Sequence, residues 1–189
     1  MKIKKIILIS GFVLFLFSFF IDDKIFFFVD LISNKYLDYF MGSITHFGSV
    51  VIIFLIMTTL FMINERKREW IPILWLSFIV STLIGVSLKL IVARGRPFDS
   101  VVLGFFGLMN YSFPSLHATA AFTGVEVLNK EFPKLKWFWI VSAAVVALSR
   151  VYLKVHYLSD VVFGALVGYF IGVIFVNLEK RLKLFRKNG

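Results

Sequence analysis

Residues Ser149 to Asp160 read SRVYLKVHYLSD, a polar run between two greasy segments, and it governs how the rest of the chain is read. His156 and Asp160 are four apart, so a helix would carry them on one face. A carboxylate there can fix the tautomer of the imidazole and stabilise it once it becomes cationic. Arg150, just upstream, is a permanent cation able to grip two oxygens of a phosphate or carboxylate at once. Polar groups this dense in a membrane-like sequence mark a functional site by default.

The surroundings are membrane-like throughout. Of 189 residues, 59% are hydrophobic and 24 are phenylalanine, and mean hydropathy is +0.89. We therefore expect an all-α polytopic membrane protein, its length suiting one bundle of about six spans of roughly 20 residues each. The absence of cysteine excludes disulfides and thiolate metal sites. The three histidines, His46, His117 and His156, lack zinc-type spacing. Net charge is +10, but the cations sit at the ends of apolar segments, so no nucleic-acid partner is expected.

Along the chain, residues 6–21 follow the basic start MKIKK. No small-residue cleavage site follows them, which favours a retained first span over a signal peptide. Residues 25–46 mix aromatic and polar side chains and read as an interfacial amphipathic helix. Further spans are expected at about 47–63, 70–92, 114–129, 137–152 and 157–178, with a loop over 94–113. With no repeat, low-complexity segment or long linker, residues 1–189 read as a single domain.

Placing the N-terminus in the cytoplasm puts fourteen of the twenty-one lysines and arginines on that side. The positive-inside rule then makes both termini cytoplasmic. Trp70, Trp137 and Trp139 fall at cytoplasmic ends, where interfacial tryptophans belong. The remaining seven cations are Lys24, Lys35, Lys89, Arg94, Arg96, Arg150 and Lys154.

This topology gathers three polar clusters on the outer face: KLIVARGRP (89–97), PSLH (114–117) and the 149–160 stretch. Lys89, Arg96 and Arg150 together can neutralise a phosphate dianion. Arg94 and Lys154 read as cations snorkelling at the interface. Ser115 occupies an N-cap position, where free first-turn N–H groups and the helix dipole favour an anion. His117 lies in that first turn and suits a general acid, whereas His46 reads as structural or as part of a pocket rim.

These three motifs resemble the signature of the type-2 phosphatidic acid phosphatase family, whose superfamily includes vanadium haloperoxidases. They are Lys89-x6-Arg96-Pro97, Pro114-Ser115-x-His117, and Ser149-Arg150-x5-His156-x3-Asp160. One departure stands out: the family's second motif carries glycine where this chain has Leu116. Leucine keeps the backbone N–H and is unstrained at a helix start, where φ is negative; pocket shape is what it puts in question.

The resemblance implies a phosphatase. His156, oriented by Asp160, is the nucleophile forming a phosphohistidine. Lys89, Arg96, Ser115 and Arg150 hold the phosphate, and His117 is the general acid and then base. No metal or other cofactor is implied, because the cations supply the charge. The expected substrate is a lipid (di)phosphate at the outer leaflet, a polyprenyl diphosphate being favoured over phosphatidic acid or phosphatidylglycerophosphate. A non-catalytic lipid-binding or transport protein on the same fold is the alternative from another class, disfavoured by the presence of both histidines. Oligomeric state is not legible.

Overall fold

Eight α-helices make up most of the computed structural model, which describes residues 2–47, 50–63, 65–98 and 110–182, with no strand among them. They are α1 (Lys2–Ser18), α2 (Asp22–Ile32), α3 (Lys35–Phe47), α4 (Val50–Met62), α5 (Ile71–Val92), α6 (Leu116–Glu131), α7 (Lys136–Tyr152) and α8 (Leu158–Leu182). Short 3-10 turns at Glu65–Trp70 and Pro133–Leu135 precede α5 and α7. Most of the expected loop over 94–113 lies outside the described residues.

The centre of the bundle is α6, which touches α4, α5, α7 and α8. It can do so because its residues are small: Ala118, Thr119, Ala120, Ala121, Thr123 and Gly124 are all buried. Its tightest neighbour is α8, through a stripe of Gly164, Gly168 and Gly172. A Cβ added at Gly164 would lie 2.6 Å from the Ser115 carbonyl oxygen, and one at Gly172 2.6 Å from that of Thr123. At Gly168 it would fall on the carbonyl of Thr119. Backbone therefore meets backbone, the small-xxx-small packing by which helices associate in lipid. Thr119 and Thr123 direct their hydroxyls to the carbonyls four residues back, so the contact face carries no loose donor.

A second layer is aromatic. Phe61, Trp70, Ile73, Leu74, Phe78, Leu128 and Trp139 form one buried cluster at the end of the bundle near the Glu65–Trp70 turn. Trp70 and Trp139 thus belong to the core, unlike their expected interfacial setting, while Trp137 is 73% exposed. Outward faces are apolar: Phe12, Val13 and Phe17 of α1, Leu83 and Ile91 of α5, and Phe138, Val141 and Leu148 of α7 are exposed.

Three helical stretches are long and apolar enough to cross a membrane unaided: Arg68–Val92, Pro133–Tyr152 and Leu158–Leu182. The other expected spans are shorter; α4 has 13 residues and α6 has 16. At 1.5 Å per residue even α1, with 17 residues, reaches only about 26 Å, short of a hydrocarbon core of about 30 Å.

The stretch expected as one interfacial helix over 25–46 is two helices. The chain is extended at Ser33 (φ −62°, ψ 130°), and Asn34 Oδ1 accepts the N–H groups of Tyr36 and Leu37 at 3.1 and 3.0 Å. That is an N-cap for α3, written in the sequence as Ser-Asn-Lys and overlooked there.

Replacing Gly168 with alanine should lower thermal stability in detergent by about 1–3 kcal/mol, the scale of overpacking. Gly42→Ala, where no atom lies within 4 Å of the new Cβ, should leave it unchanged or raise it by up to about 1 kcal/mol. Equal melting temperatures for the two variants would contradict the α6–α8 contact.

Candidate active site

Each of the three sequence motifs is tied to another by backbone geometry. α5 ends one turn after Lys89 because Ala93 adopts the left-handed conformation (φ 47°, ψ 35°) with its N–H on the Lys89 carbonyl. The chain then turns back, carrying Arg94 and Arg96 past the start of α6. Ser112 fastens this segment: its N–H donates to the Arg94 carbonyl at 2.7 Å and its hydroxyl to that of Gly95 at 2.9 Å. The Ser115 N–H donates to the Asp160 carbonyl at 3.1 Å, joining the starts of α6 and α8. Arg96 Nη1 donates to the Val155 carbonyl at 3.0 Å, holding the turn that bears His156.

All seven residues singled out in the motifs converge. Lys89 is 3% exposed, Arg150 8%, His156 3%, and Ser115 and Asp160 not at all. His117 is half-buried and within electrostatic reach of Arg150, His156, Arg96 and Lys89. Lys89 Nζ donates to the carbonyls of Tyr111 and Ser112 at 2.7 and 3.3 Å. Three buried polar atoms here have no hydrogen-bond partner: Ser115 Oγ, Arg150 Nε and His156 Nδ1. Burial of such groups is costly unless something satisfies them. A phosphate, with oxygens for the serine and the guanidinium, matches their chemistry.

His156 does not share a helix with Asp160, in keeping with a last span expected to begin at about Tyr157. It sits in the turn before α8, a turn made possible by the left-handed backbone of Lys154 (φ 54°). Its Nδ1 is nevertheless 3.6 Å from Asp160 Oδ2, just beyond hydrogen-bonding distance. Burial pushes the imidazole down to about 4, although Asp160 pulls the other way. The ring is therefore neutral, with a lone pair available, at physiological pH.

Three further expectations need correction. Ser115 is at the N-cap, but its hydroxyl makes no capping bond. Arg94 is no snorkelling cation: it bridges Asp22 Oδ2 at 2.9 Å and Asp160 Oδ1 at 2.8 Å and lies 3.9 Å over the Tyr157 ring. Lys154 pairs with Asp30. Asp22, Ser112 and Ser159 were missed; for Asp22 the only signal was an acidic pair directly after an apolar run. His46 lies at the end of α3, and its side chain is outside the described residues.

Leu116, in the place of the family's glycine, packs over Gly85 of α5. A Cβ there would lie 2.5 Å from Leu116 Cδ2, so the missing side chain on α5 makes room for the added one on α6. Its backbone φ is not positive, and the expected lack of strain holds.

The model of the PAP2 superfamily matches residues 70–183, more than half of the chain and all three motifs. The chain belongs to the PAP2 superfamily. An undecaprenyl-diphosphatase from Sulfolobus acidocaldarius is 35% identical over 128 residues, covering 65% of this chain and 61% of that protein's own length. A decaprenylphosphoryl-5-phosphoribose phosphatase from Mycobacterium tuberculosis is 34% identical over 135 residues, 70% of this chain and 75% of its own. Among solved structures, the PAP2-type phosphatidylglycerolphosphate phosphatase of Bacillus subtilis superposes with a TM-score of 0.73 at 26% identity. That likeness covers 95% of this chain and 98% of that one. The curated proteins this chain matches include phosphatases and diphosphatases of lipid-linked phosphates.

Restoring the family's residue tests the role of Leu116. Leu116→Gly should keep most of the turnover while losing on the order of 1–2 kcal/mol of stability, from lost apolar contact. Gly85→Leu in that background should recover part of the loss. Thermal melting and turnover of the single and double variants measure both, and additive effects would refute the pairing.

Proposed function

We propose that this chain is a membrane lipid phosphatase that removes the terminal phosphate of a lipid (di)phosphate, with polyprenyl diphosphates as the favoured substrate class. The observation carrying this reading is the pair of uncommitted buried atoms on Ser115 and Arg150 amid the cations Lys89, Arg96 and Arg150, beside a His156 whose Nδ1 faces Asp160. In the proposed reaction the bound phosphate dianion holds His117 in its protonated form; Nε2 of neutral His156 attacks the terminal phosphorus in line, and the bond to the leaving oxygen breaks as His117 protonates that oxygen. Asp160 stabilises the imidazolium formed. His117, now neutral, takes a proton from water; the resulting hydroxide attacks phosphorus, the N–P bond breaks, and phosphate departs. Lys89, Arg96, Arg150 and Ser115 stabilise the equatorial oxygens in both steps.

We read the chain as six crossings in one domain, with both termini cytoplasmic and the site at the outer leaflet, on the distribution of its cations. Exposed apolar faces on α1, α5 and α7 suit lateral entry of a lipid tail. Two similar proteins are named for polyprenyl-linked phosphates, which favours that class here. A second reading, phosphatidylglycerophosphate, is favoured by the similarity in fold over nearly the whole chain to an enzyme of that name.

Phosphate release from purified protein with prenyl diphosphates, phosphatidic acid and phosphatidylglycerophosphate decides between these. His156→Ala should abolish turnover and the acid-labile phosphoenzyme with every substrate. His117→Ala should cost about 10²–10⁴-fold, and less with a diphosphate, whose leaving group is good, than with phosphatidic acid. A phosphoenzyme in His156→Ala would refute the nucleophile.

Because fixed cations carry the electrostatic work in this reading, EDTA should leave turnover nearly unchanged while vanadate inhibits. A magnesium requirement that persists with soluble short-chain substrates would contradict it.

A further inference from the structure

Asp22 and Arg94 belong to none of the roles assigned so far, yet they are wired to the reacting pair. Asp22 opens α2 and is 3% exposed. Its Oδ1 accepts the Ser159 N–H at 2.9 Å, and its Oδ2 accepts the Ser159 hydroxyl and Arg94 Nη2. Arg94 Nη1 donates to Ser159 Oγ at 2.6 Å and to Asp160 Oδ1 at 2.8 Å. The other oxygen of Asp160 accepts the Tyr157 N–H at 2.9 Å and faces His156 Nδ1. One guanidinium thus holds two carboxylates, one on each side of Ser159.

A structural role alone would be better filled by apolar side chains, since removing three charges from water is costly. What an apolar replacement could not do is fix which oxygen of Asp160 meets the imidazole. We propose that Asp22 and Arg94 are positioning residues, holding the Asp160 carboxylate so that Oδ2 serves His156 and setting how much of its negative charge the imidazole feels. The proposal rests on His156 as nucleophile.

The groups facing His156 are Lys89 from α5, Arg96 from the following segment, His117 from α6, Arg150 from α7 and Asp160 from α8. Asp160 is the one carboxylate acting on it among the described residues. Protonated His156 cannot attack, so kcat/KM falls as pH drops through its pKa. Removing the positive charge in Arg94→Gln leaves the carboxylates less offset, raises the affinity of His156 for a proton and moves the acid limb to higher pH. Removing the negative charge in Asp22→Asn leaves Arg94 to offset Asp160 alone, so the imidazole feels less of that carboxylate and the limb moves to lower pH. Both displacements are transmitted through Asp160, so each is at most on the order of one pH unit. Arg94→Lys keeps the charge but loses the planar fork, so kcat should fall roughly 10–100-fold, the scale of outer-shell partners, with the limb in place.

The test measures pH profiles of kcat/KM on one substrate for detergent-purified wild type, Asp22→Asn, Arg94→Gln and Arg94→Lys, with melting temperatures alongside. Asp30→Asn, which breaks the separate Lys154 tether, is the control and should leave the limb unmoved. Opposite displacements for Asp22→Asn and Arg94→Gln support the proposal. Should Arg94→Gln fail to fold, a lowered limb in Asp22→Asn with an unmoved one in Arg94→Lys supports it equally. Limbs unmoved, or moved in the same direction, overturn it. The wild-type phosphoenzyme is trapped in parallel: its absence overturns the nucleophile and this role together, whereas its presence with unmoved limbs overturns this role alone.

Discussion

Two backbones in contact set the geometry of this protein. Without side chains at Gly164, Gly168 and Gly172, α8 lies directly on the carbonyls of Ser115, Thr119 and Thr123. Helices separated by ordinary side chains stand 8–10 Å apart; this pair meets without side chains between at the three glycines. The closeness allows the Ser115 N–H to reach the Asp160 carbonyl, and so brings His117 and His156, from different helix starts, to one place. In lipid, where apolar burial gives helices little reason to associate, such contact is what dispersion and weak hydrogen bonds can exploit. The site is thus built at one end of the tightest seam in the bundle.

Electrostatics then shapes that end. Lys89, Arg96 and Arg150 are gathered within reach of one another, an arrangement that repels itself unless something negative joins it. Asp160 supplies part of the compensation, but Arg94 already engages it. Among the described residues Asp160 is the one carboxylate acting on His156 beside these cations, and Ser115 Oγ and Arg150 Nε have hydrogen bonds unspent. A structural ion-pair network would have its charges balanced and its donors matched; the unspent donors here are what the phosphate reading rests on. Burial also pushes the His156 imidazole below its ordinary range.

Much of this was legible in the sequence. The long apolar runs became α5, α7 and α8, because length and hydropathy alone determine what fits a bilayer. The seven motif residues converge because each sits at the end of an apolar segment on the same side. The missed ion pair and the helix seam depend on partners distant in sequence. Arg94 looked like any interfacial cation, since Asp22 is 72 residues away. The glycine stripe of α8 is unremarkable by composition and gains meaning only from the small residues of α6 opposite it. The turn that sets His156 ahead of α8 has a local cause: Lys154 takes a left-handed conformation, which spacing does not announce. The break at Ser33–Asn34 could have been read, because asparagine before a helical run is a familiar N-cap.

The fastening of Ser112 has a consequence for how such a protein can diversify. Ser112 bonds the carbonyls of Arg94 and Gly95, while Lys89 holds those of Tyr111 and Ser112. Both ends of the intervening sequence are thus held in place. Closing a loop costs only about 0.6 kcal/mol more for each doubling of its length, so a change in the number of residues between Pro97 and Tyr111 bears little on Lys89, Arg94 and Ser112. The pinned base and the sequence it delimits are separable units of variation.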